Sequence, residues 1–153
     1  MDLYKITLLA HIVSAVIWVG GMFFAHVILR PSLMDLDTAG RLSIWKKVFK
    51  KFFYWVWISV LTILITGYGI VFLIYGGLSG IQGRMHIYIM LAVGTVMSFI
   101  YFYIYFVPFQ KFLAALSSHN NQIAAYQQGI MRKLVFFNLL LGIFIFISVY
   151  ILK

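Results

Sequence analysis

Hydrophobic residues along this chain fall into four long runs, and most charged residues lie in the segments between them. The runs extend approximately from Leu3 to Leu29, from Phe52 to Tyr75, from His86 to Val107 and from Leu134 to Leu152. About 20 apolar residues in a helix cross the roughly 30 Å hydrocarbon core of a bilayer. The pattern therefore predicts four transmembrane helices, which we number spans 1 to 4.

The connections between the runs predict how the spans are arranged. The connection from Gly76 to Gly83 is short and glycine-rich, and short connections make consecutive helices antiparallel neighbours. The sequence therefore predicts an all-α membrane protein, a four-transmembrane-helix up-down-up-down bundle that occupies residues 1–153 as a single domain. In such a bundle, spans 1 and 3 run in the same direction and face each other diagonally.

A short interfacial helix is predicted before span 2. Asp37 or Thr38 is a suitable N-terminal cap for it. The apolar residues that follow, up to Phe52, alternate with four lysines, a pattern typical of a helix that lies in the membrane interface. The alternative is a solvated basic surface that serves as an orientation signal.

The composition agrees with a membrane protein. Of the residues, 64% are hydrophobic and 10% are charged, against about 45–50% and about 25% in soluble domains. The absence of cysteine from the sequence excludes disulfides, thiolate metal sites, iron–sulfur clusters and covalently attached haem. Although the net charge is +9, the basic residues lie mainly in the connections. Their position indicates membrane topology and contact with anionic lipid, and does not favour nucleic-acid binding.

The basic residues also predict the orientation of the bundle. Nine of the 12 lysines and arginines lie in the connections after spans 1 and 3, and three lie on the other side. Cytoplasmic loops of membrane proteins are enriched in Lys and Arg. Both basic connections are therefore predicted to be cytoplasmic, and both termini outside.

Span 1 carries imidazoles inside a run that is otherwise suited to lipid. His11, Trp18, Met22 and His26 are spaced so that they share one face of a helix. An ionisable side chain inside the membrane is costly, so it normally faces the bundle interior and marks a functional site. Span 3 has a second such face, formed by His86, Met90, Met97 and Tyr101.

The two faces together predict a haem b site. A diagonal pair of helices leaves more room for a macrocycle than adjacent helices, which are about 8–10 Å apart, and histidine is a common axial ligand of haem iron. Arg84 is placed to pair with a haem propionate, and Gly21 to allow close approach of the ring. The predicted cofactor-binding residues are His11, Trp18, Gly21, Arg84, His86 and Met90, with His11 and His86 as the metal ligands.

Each supporting feature also has an ordinary structural explanation. Methionines, aromatic residues and glycines at helical spacing commonly serve packing, and Arg84 is also suited to anchor its helix at the lipid interface. His26 lies about 22 Å beyond His11 at 1.5 Å per residue, so the two cannot share one centre. The sequence leaves open whether His26 ligates a second haem, although a place at the membrane interface near Arg30 explains this histidine better. His119 is predicted to be a solvated loop residue.

Other reaction classes are excluded by what the sequence lacks. The three carboxylates, Asp2, Asp35 and Asp37, lie near or outside the predicted membrane surface. They form no paired acid–base site and no intramembrane proton relay, and the sequence has no nucleotide-binding loop. A hydrolase and an ATP-driven pump are therefore excluded.

Several short motifs point to a known family. They are His11 with Trp18 and Gly21, Arg41-Leu42, Thr66-Gly67, Met85-His86-Ile87-Tyr88, Arg132 and Asn138-Leu139-Leu140-Leu141-Gly142. In these motifs the chain resembles, over nearly its whole length, the small four-span family that contains the protoporphyrinogen oxidase HemJ and the related CopD copper-resistance membrane domain.

The two branches of this resemblance imply different functions. In HemJ the histidine that matches His11 is implicated in haem b binding, and His86 matches the histidine of an H-x-K motif, in which Tyr88 replaces the lysine. Asn138 is followed by leucine where HemJ has Asn-Glu-Pro. The motif in span 4 is more similar to CopD, which implies copper handling. The candidate copper(I) ligands are His11, Met22, Met85, His86 and Met90.

The sequence thus favours an integral membrane haem b protein of a bacterial inner membrane, with a redox or porphyrin-handling role and the haem held between spans 1 and 3. The first alternative is CopD-like copper binding or permeation, and the second is a non-catalytic structural subunit. The missing lysine and Asn-Glu-Pro signature leave open whether the chain is a HemJ-like oxidoreductase. Besides the bilayer, the candidate partners are a quinone, a porphyrin, a redox protein and a second copy of the chain.

Overall fold

The structure, a computed structural model, describes residues 2–152 and consists of four helical segments joined by short connections. The segments Leu3–Ser32, Thr38–Ile74, Met85–Ser117 and Asn121–Leu152 are each long and apolar enough to cross a membrane. The predicted all-α four-helix membrane fold is confirmed. The segments extend beyond the predicted apolar runs because amphipathic turns continue the helices at their basic ends.

Spans 1 and 2 each change their hydrogen-bonding pattern near one end. In span 1 the α-helix Leu3–Phe23 continues as a π-helix over Phe24–Leu29 and ends with the helical turn Arg30–Ser32. In span 2 the α-helix Thr38–Gly69 continues as a π-helix over Ile70–Ile74. π-Helical turns are rare and occur frequently at functional sites. Because the spans are antiparallel, the two π-helices lie at opposite ends of the bundle.

The predicted interfacial helix is the beginning of span 2 and not a separate element. The Asp37 side chain caps it by accepting a hydrogen bond from the backbone N–H of Gly40 at 3.3 Å. No proline interrupts the chain between this cap and Gly69, so the helix continues directly into the membrane. Its first turns bury Trp45 and leave Lys47 exposed.

Proline divides the third segment. The helix Met85–Phe106 ends at Val107, and a second helix, Pro108–Ser117, starts directly after it. Proline lacks a backbone N–H and suits the first turn of a helix, where that group has no intrahelical partner. The polar turn that follows leads into the helix Asn121–Leu152.

The connection between spans 2 and 3 is compact. It contains a 3₁₀ turn, Leu78–Ile81, flanked by Gly76, Gly77 and Gly83, and all three glycines have positive φ angles, which glycine adopts without steric cost. We call the end of the bundle with this connection the terminal end, because span 1 also begins and span 4 also ends there. The opposite end, with nine of the 12 lysines and arginines, is the basic end.

The bundle packs as two helix pairs. Span 1 packs most extensively against span 2, and span 3 against span 4. The core between the pairs includes Met22, Phe53 and Tyr101, which are at most 2% exposed. Many large apolar side chains on the outer faces are exposed, as a helix surrounded by lipid requires.

Candidate functional site

A cavity of about 760 Å³ lies at the terminal end of the bundle, and all four spans contribute to its wall. Its lining is mainly apolar, with a few polar side chains. Sites for small molecules and cofactors typically have this character and occupy roughly 300–1,000 Å³. We call it the histidine cavity, after His11 and His86, which both line it.

The histidine cavity brings together most of the predicted site residues. Of the six, His11, Trp18, Arg84, His86 and Met90 line it. Gly21 is not part of the cavity lining. A Cβ at this position would be 2.5 Å from Cε2 of Phe52, so Gly21 faces span 2. Gly21 therefore allows close packing of spans 1 and 2, and has no contact with the cavity.

A hydrogen bond to span 2 orients His11. Its Nδ1 lies 2.8 Å from Oγ1 of Thr66, and the Thr66 hydroxyl lies 2.5 Å from the carbonyl oxygen of Thr62. A hydroxyl has one proton. Since Thr66 donates it to Thr62, Thr66 accepts a hydrogen bond from the Nδ1–H of His11. In this tautomer Nε2 carries the lone pair, which is the usual arrangement of a metal-ligating histidine.

His86 presents an unsatisfied ring nitrogen. It lies in the first turn of the span 3 helix, which begins at Met85. Its Nδ1 is buried and has no hydrogen-bond partner among residues 2–152. An unpaired buried polar atom costs about 1–3 kcal/mol, so it is a candidate for contact with a ligand.

An aromatic layer closes the deep end of the cavity. Trp18 packs edge-on against Tyr101 with 6.2 Å between the ring centroids. The Tyr101 hydroxyl donates a hydrogen bond to the Phe53 carbonyl at 2.9 Å. These contacts join spans 1, 2 and 3, and they lie between the cavity and the basic end. Met97, which is 2% exposed, lines the cavity beside this layer.

Among residues 2–152, Arg84 is the arginine or lysine that lines the cavity. The Arg84 guanidinium lies over the Tyr75 ring, 4.6 Å from its centroid, and both residues line the cavity. Cation–π contacts of this kind hold an arginine in place by about 0.5–1 kcal/mol at exposed sites. In the described part of the chain Arg84 makes no salt bridge, so its charge is available to an occupant.

Two small-residue positions shape the cavity. A Cβ at Gly67 would be 3.1 Å from Cε1 of His11, so Gly67 makes room for the imidazole. At Gly94, which lines the cavity, a Cβ would meet no atom within 4 Å. Sequence reasoning did not identify Thr66 as a site residue. The sequence feature that could have identified it is the Thr66-Gly67 motif, which supplies both the hydrogen bond and the space for His11.

The other two histidines lie away from the cavity. His26 lines a second pocket of about 290 Å³ at the basic end, together with Arg30, and its ring stacks on Phe136 with 4.6 Å between centroids. His119 is exposed in the turn after Ser117. The structure therefore places His11 and His26 in different sites, as their spacing predicts.

A metal in the histidine cavity would need sulfur ligands. The described residues contain no group of three or more His, Cys, Asp or Glu side chains that could hold a metal ion. Met90 and Met97, however, line the same cavity as His11 and His86. Imidazole and thioether ligands suit copper(I), whereas Mg²⁺ and Ca²⁺ prefer carboxylate and carbonyl oxygens.

Comparison with known proteins identifies the family. A sequence model described as Copper resistance protein D (CopD) matches residues 46–152, well over half of the chain. The chain belongs to the CopD family. It is a multi-pass membrane protein related to copper resistance. No curated protein and no solved structure matches it.

Membership in the CopD family favours one of the two predicted occupants. The CopD part of the predicted resemblance is confirmed, whereas the relationship to HemJ stays a prediction. The family match supports copper, the alternative occupant, better than haem b, which the sequence analysis favoured. His86, Met90 and Met97 lie inside the matched region, and His11 lies before it.

Proposed function

We propose that this chain binds copper(I) as its cargo in the histidine cavity, on a route through the bundle. The buried Nδ1 of His86, which has no partner among residues 2–152, is the observation that carries the proposal. A soft cation bound to this atom would satisfy it, and CopD membership makes copper the cation to test.

The proposed ligands come from two diagonal spans. His11 offers Nε2, since its Nδ1–H is occupied by Thr66, and His86 offers Nδ1. The thioether sulfurs of Met90 and Met97 on span 3 would complete the coordination. Because none of the described residues contributes a carboxylate to the cavity lining, the site would discriminate against hard divalent cations.

Buried methionines extend beyond the cavity and support a route towards the basic end. Met22 is 1% exposed in the core, and Met131 is fully buried and lines the pocket at the basic end. In the core, Nδ2 of Asn138 donates a hydrogen bond to the Met97 carbonyl at 3.1 Å. The Asn138 Oδ1 is buried without a partner in the described chain. Thioether and amide groups along the bundle would give the ion polarizable contacts where water is excluded.

Copper(I) affinity of histidine variants tests the site. The purified chain competes with a chromophoric copper(I) chelator, and the same measurement is made on His11→Ala, His86→Ala and His119→Ala. We expect each cavity variant to lose at least roughly 10–100-fold in affinity, because loss of an outer partner of a metal ligand alone commonly costs that much. The exposed His119→Ala should bind as the unmodified chain does. Full affinity in both cavity variants would refute the site.

A matched methionine pair tests the thioethers. Met90 lines the cavity, whereas Met85, one turn earlier, is 60% exposed. Met90→Leu should reduce the sulfur contribution to the copper X-ray absorption spectrum, while Met85→Leu leaves it unchanged. Equal spectra for both variants would exclude Met90 as a ligand.

Haem b in the same cavity is the second candidate function, and Arg84 is the observation that favours it. A free guanidinium in the cavity wall suits a propionate and opposes a cation. The open space at Gly94 and the cavity volume fit a macrocycle, which His11 and His86 would hold. A haem would supply one-electron transfer. An optical spectrum separates the candidates, because a reducible Soret band identifies haem and bound copper without that band identifies copper.

A further inference from the structure

The second pocket, at the basic end, gathers arginines from three spans. Arg30 lies in the last turn of span 1, Arg41 lies in the first turn of span 2, and Arg132 lies in span 4. All three line the pocket of about 290 Å³. His26 and Gln128 add polar ring and amide groups to the same lining. We call this site the arginine pocket.

The positive charge of the arginine pocket is not neutralised by the protein. The whole sequence contains three acidic residues, and none of them lines the pocket. The one salt bridge within residues 2–152 joins Lys5 to Asp2 at the terminal end. Three like charges around one space repel each other and attract an anion.

The geometry of the pocket suits a phosphate group. Guanidinium groups bind phosphate oxygens through paired, parallel hydrogen bonds, and three of them approach this pocket from different spans. The arginine side chains make no hydrogen bond to protein atoms in the part of the chain that the structure describes. Their donors are therefore available to a ligand.

The pocket also has an apolar wall, which suits an anion that carries a hydrophobic part. Trp45 and Phe49 of span 2, which are buried in the core, and Val135 of span 4 form this wall. Tryptophan is enriched at the membrane–water interface. The π-helix Phe24–Leu29 supplies Ala25 and His26 to the same lining, so the wider helical turn contributes directly to the shape of the pocket.

We propose that the arginine pocket is a binding site for a phosphate-bearing anion, held by Arg30, Arg41 and Arg132. This site is separate from the histidine cavity and does not depend on copper. Its ligand is either the headgroup of an anionic phospholipid or a free phosphate, because both present the same oxygens to the arginines.

Native mass spectrometry of the purified, delipidated chain tests the proposal. Phosphatidylglycerol or phosphatidylcholine is added in detergent, and bound lipid is counted; inorganic phosphate binding is measured in parallel by equilibrium dialysis. We expect the chain to retain phosphatidylglycerol over the zwitterionic lipid. If inorganic phosphate binds as well and displaces the lipid, the source is free phosphate; if it does not, the source is the lipid headgroup.

A matched pair of variants connects the binding to the pocket. Arg30→Gln/Arg132→Gln removes two pocket charges, and Lys47→Gln/Lys133→Gln removes two exposed charges at the same end. The first should weaken binding by roughly tenfold or more, as expected for charge-assisted hydrogen bonds. The second should change it by less than about twofold, since exposed charges are screened. Arg30→Lys/Arg132→Lys, which keeps both charges, should fall between them.

Two results would overturn the proposal. In the first, the unmodified chain retains the two lipids equally and does not bind inorganic phosphate, a result that needs no variant to be folded. In the second, the arginine and lysine variants lose the same amount of binding, which would assign the effect to general surface charge.

Discussion

The histidine cavity and the arginine pocket each take one histidine from span 1, yet their surroundings are opposite in character. Around His11 lie thioethers, aromatic rings and the single charge of Arg84. Around His26 lie three arginines, with no carboxylate in the lining. The same imidazole group is thus placed in a site that suits a soft cation at one end, and in a site that suits an anion at the other.

This contrast shows why residue type alone does not define a site in a membrane bundle. Both pockets adjoin a π-helix: Val71 at the histidine cavity lies in Ile70–Ile74, and His26 at the arginine pocket lies in Phe24–Leu29. The aromatic layer of Trp18 and Tyr101 lies between the two ends. A change at one end should therefore leave ligand binding at the other end intact.

The largest expected effect comes from a substitution of Thr66, which hydrogen-bonds to His11 and not to His26. Thr66→Val removes the acceptor for the His11 Nδ1–H and should weaken copper(I) binding by roughly 10–100-fold, as loss of an outer partner of a metal ligand does. Phosphatidylglycerol binding at the arginine pocket should not change. Both are measured on the same preparation, by chelator competition and native mass spectrometry.

The conservative variant decides whether Thr66 acts as a positioning residue. Thr66→Ser restores the hydroxyl and should return copper(I) affinity to within about twofold of the unmodified chain, since the hydrogen-bonding group is the same. Thr62→Val, one turn away, is the matched control. If valine and serine at position 66 bind equally, the hydrogen bond has no role in the site.

An intermediate effect tests the size of the occupant of the histidine cavity. Gly94→Phe would place a ring in the open space beside the cavity wall and leave the two histidines in place. A macrocycle would then be excluded, and any haem bound by the unmodified chain should fall by roughly tenfold or more, because overpacking costs about 1–3 kcal/mol. Copper(I), a single ion, should bind within about twofold of its original affinity. Copper loss together with haem loss would contradict this distinction.

Much of the fold was accessible to sequence reasoning because lipid imposes a simple constraint. Backbone groups in hydrocarbon must be paired within a helix or barrel, so the four apolar runs predicted the four spans directly. Helical periodicity also identified the interior face of span 1, where Trp18 and Met22 are 3% and 1% exposed.

The details of both sites depend on contacts between spans, which periodicity does not describe. Gly21 was expected beside a cofactor, but it packs against Phe52 of span 2. Thr66 reaches His11 because the packing of spans 1 and 2 places the two residues at the same depth in the bundle. The arginine pocket was not anticipated, because Arg41 and Arg132 are 91 positions apart in the sequence and meet only because span 3 returns the chain to the basic end, where span 4 begins.

The smallest expected effect concerns a charged group that both sites contain, a guanidinium in the wall. In the arginine pocket the positive charge attracts the proposed ligand, whereas Arg84 in the histidine cavity repels a cation. Arg84→Gln should therefore strengthen copper(I) binding by roughly twofold to fivefold, because a like charge at a partly exposed site costs about 1 kcal/mol or less. Arg84→Lys keeps the charge and should leave copper(I) affinity unchanged. The sign of the change is informative, since a haem propionate would lose affinity in Arg84→Gln. Weaker copper(I) binding in Arg84→Gln would mean that Arg84 supports the occupant, and the contrast between the two pockets would not hold.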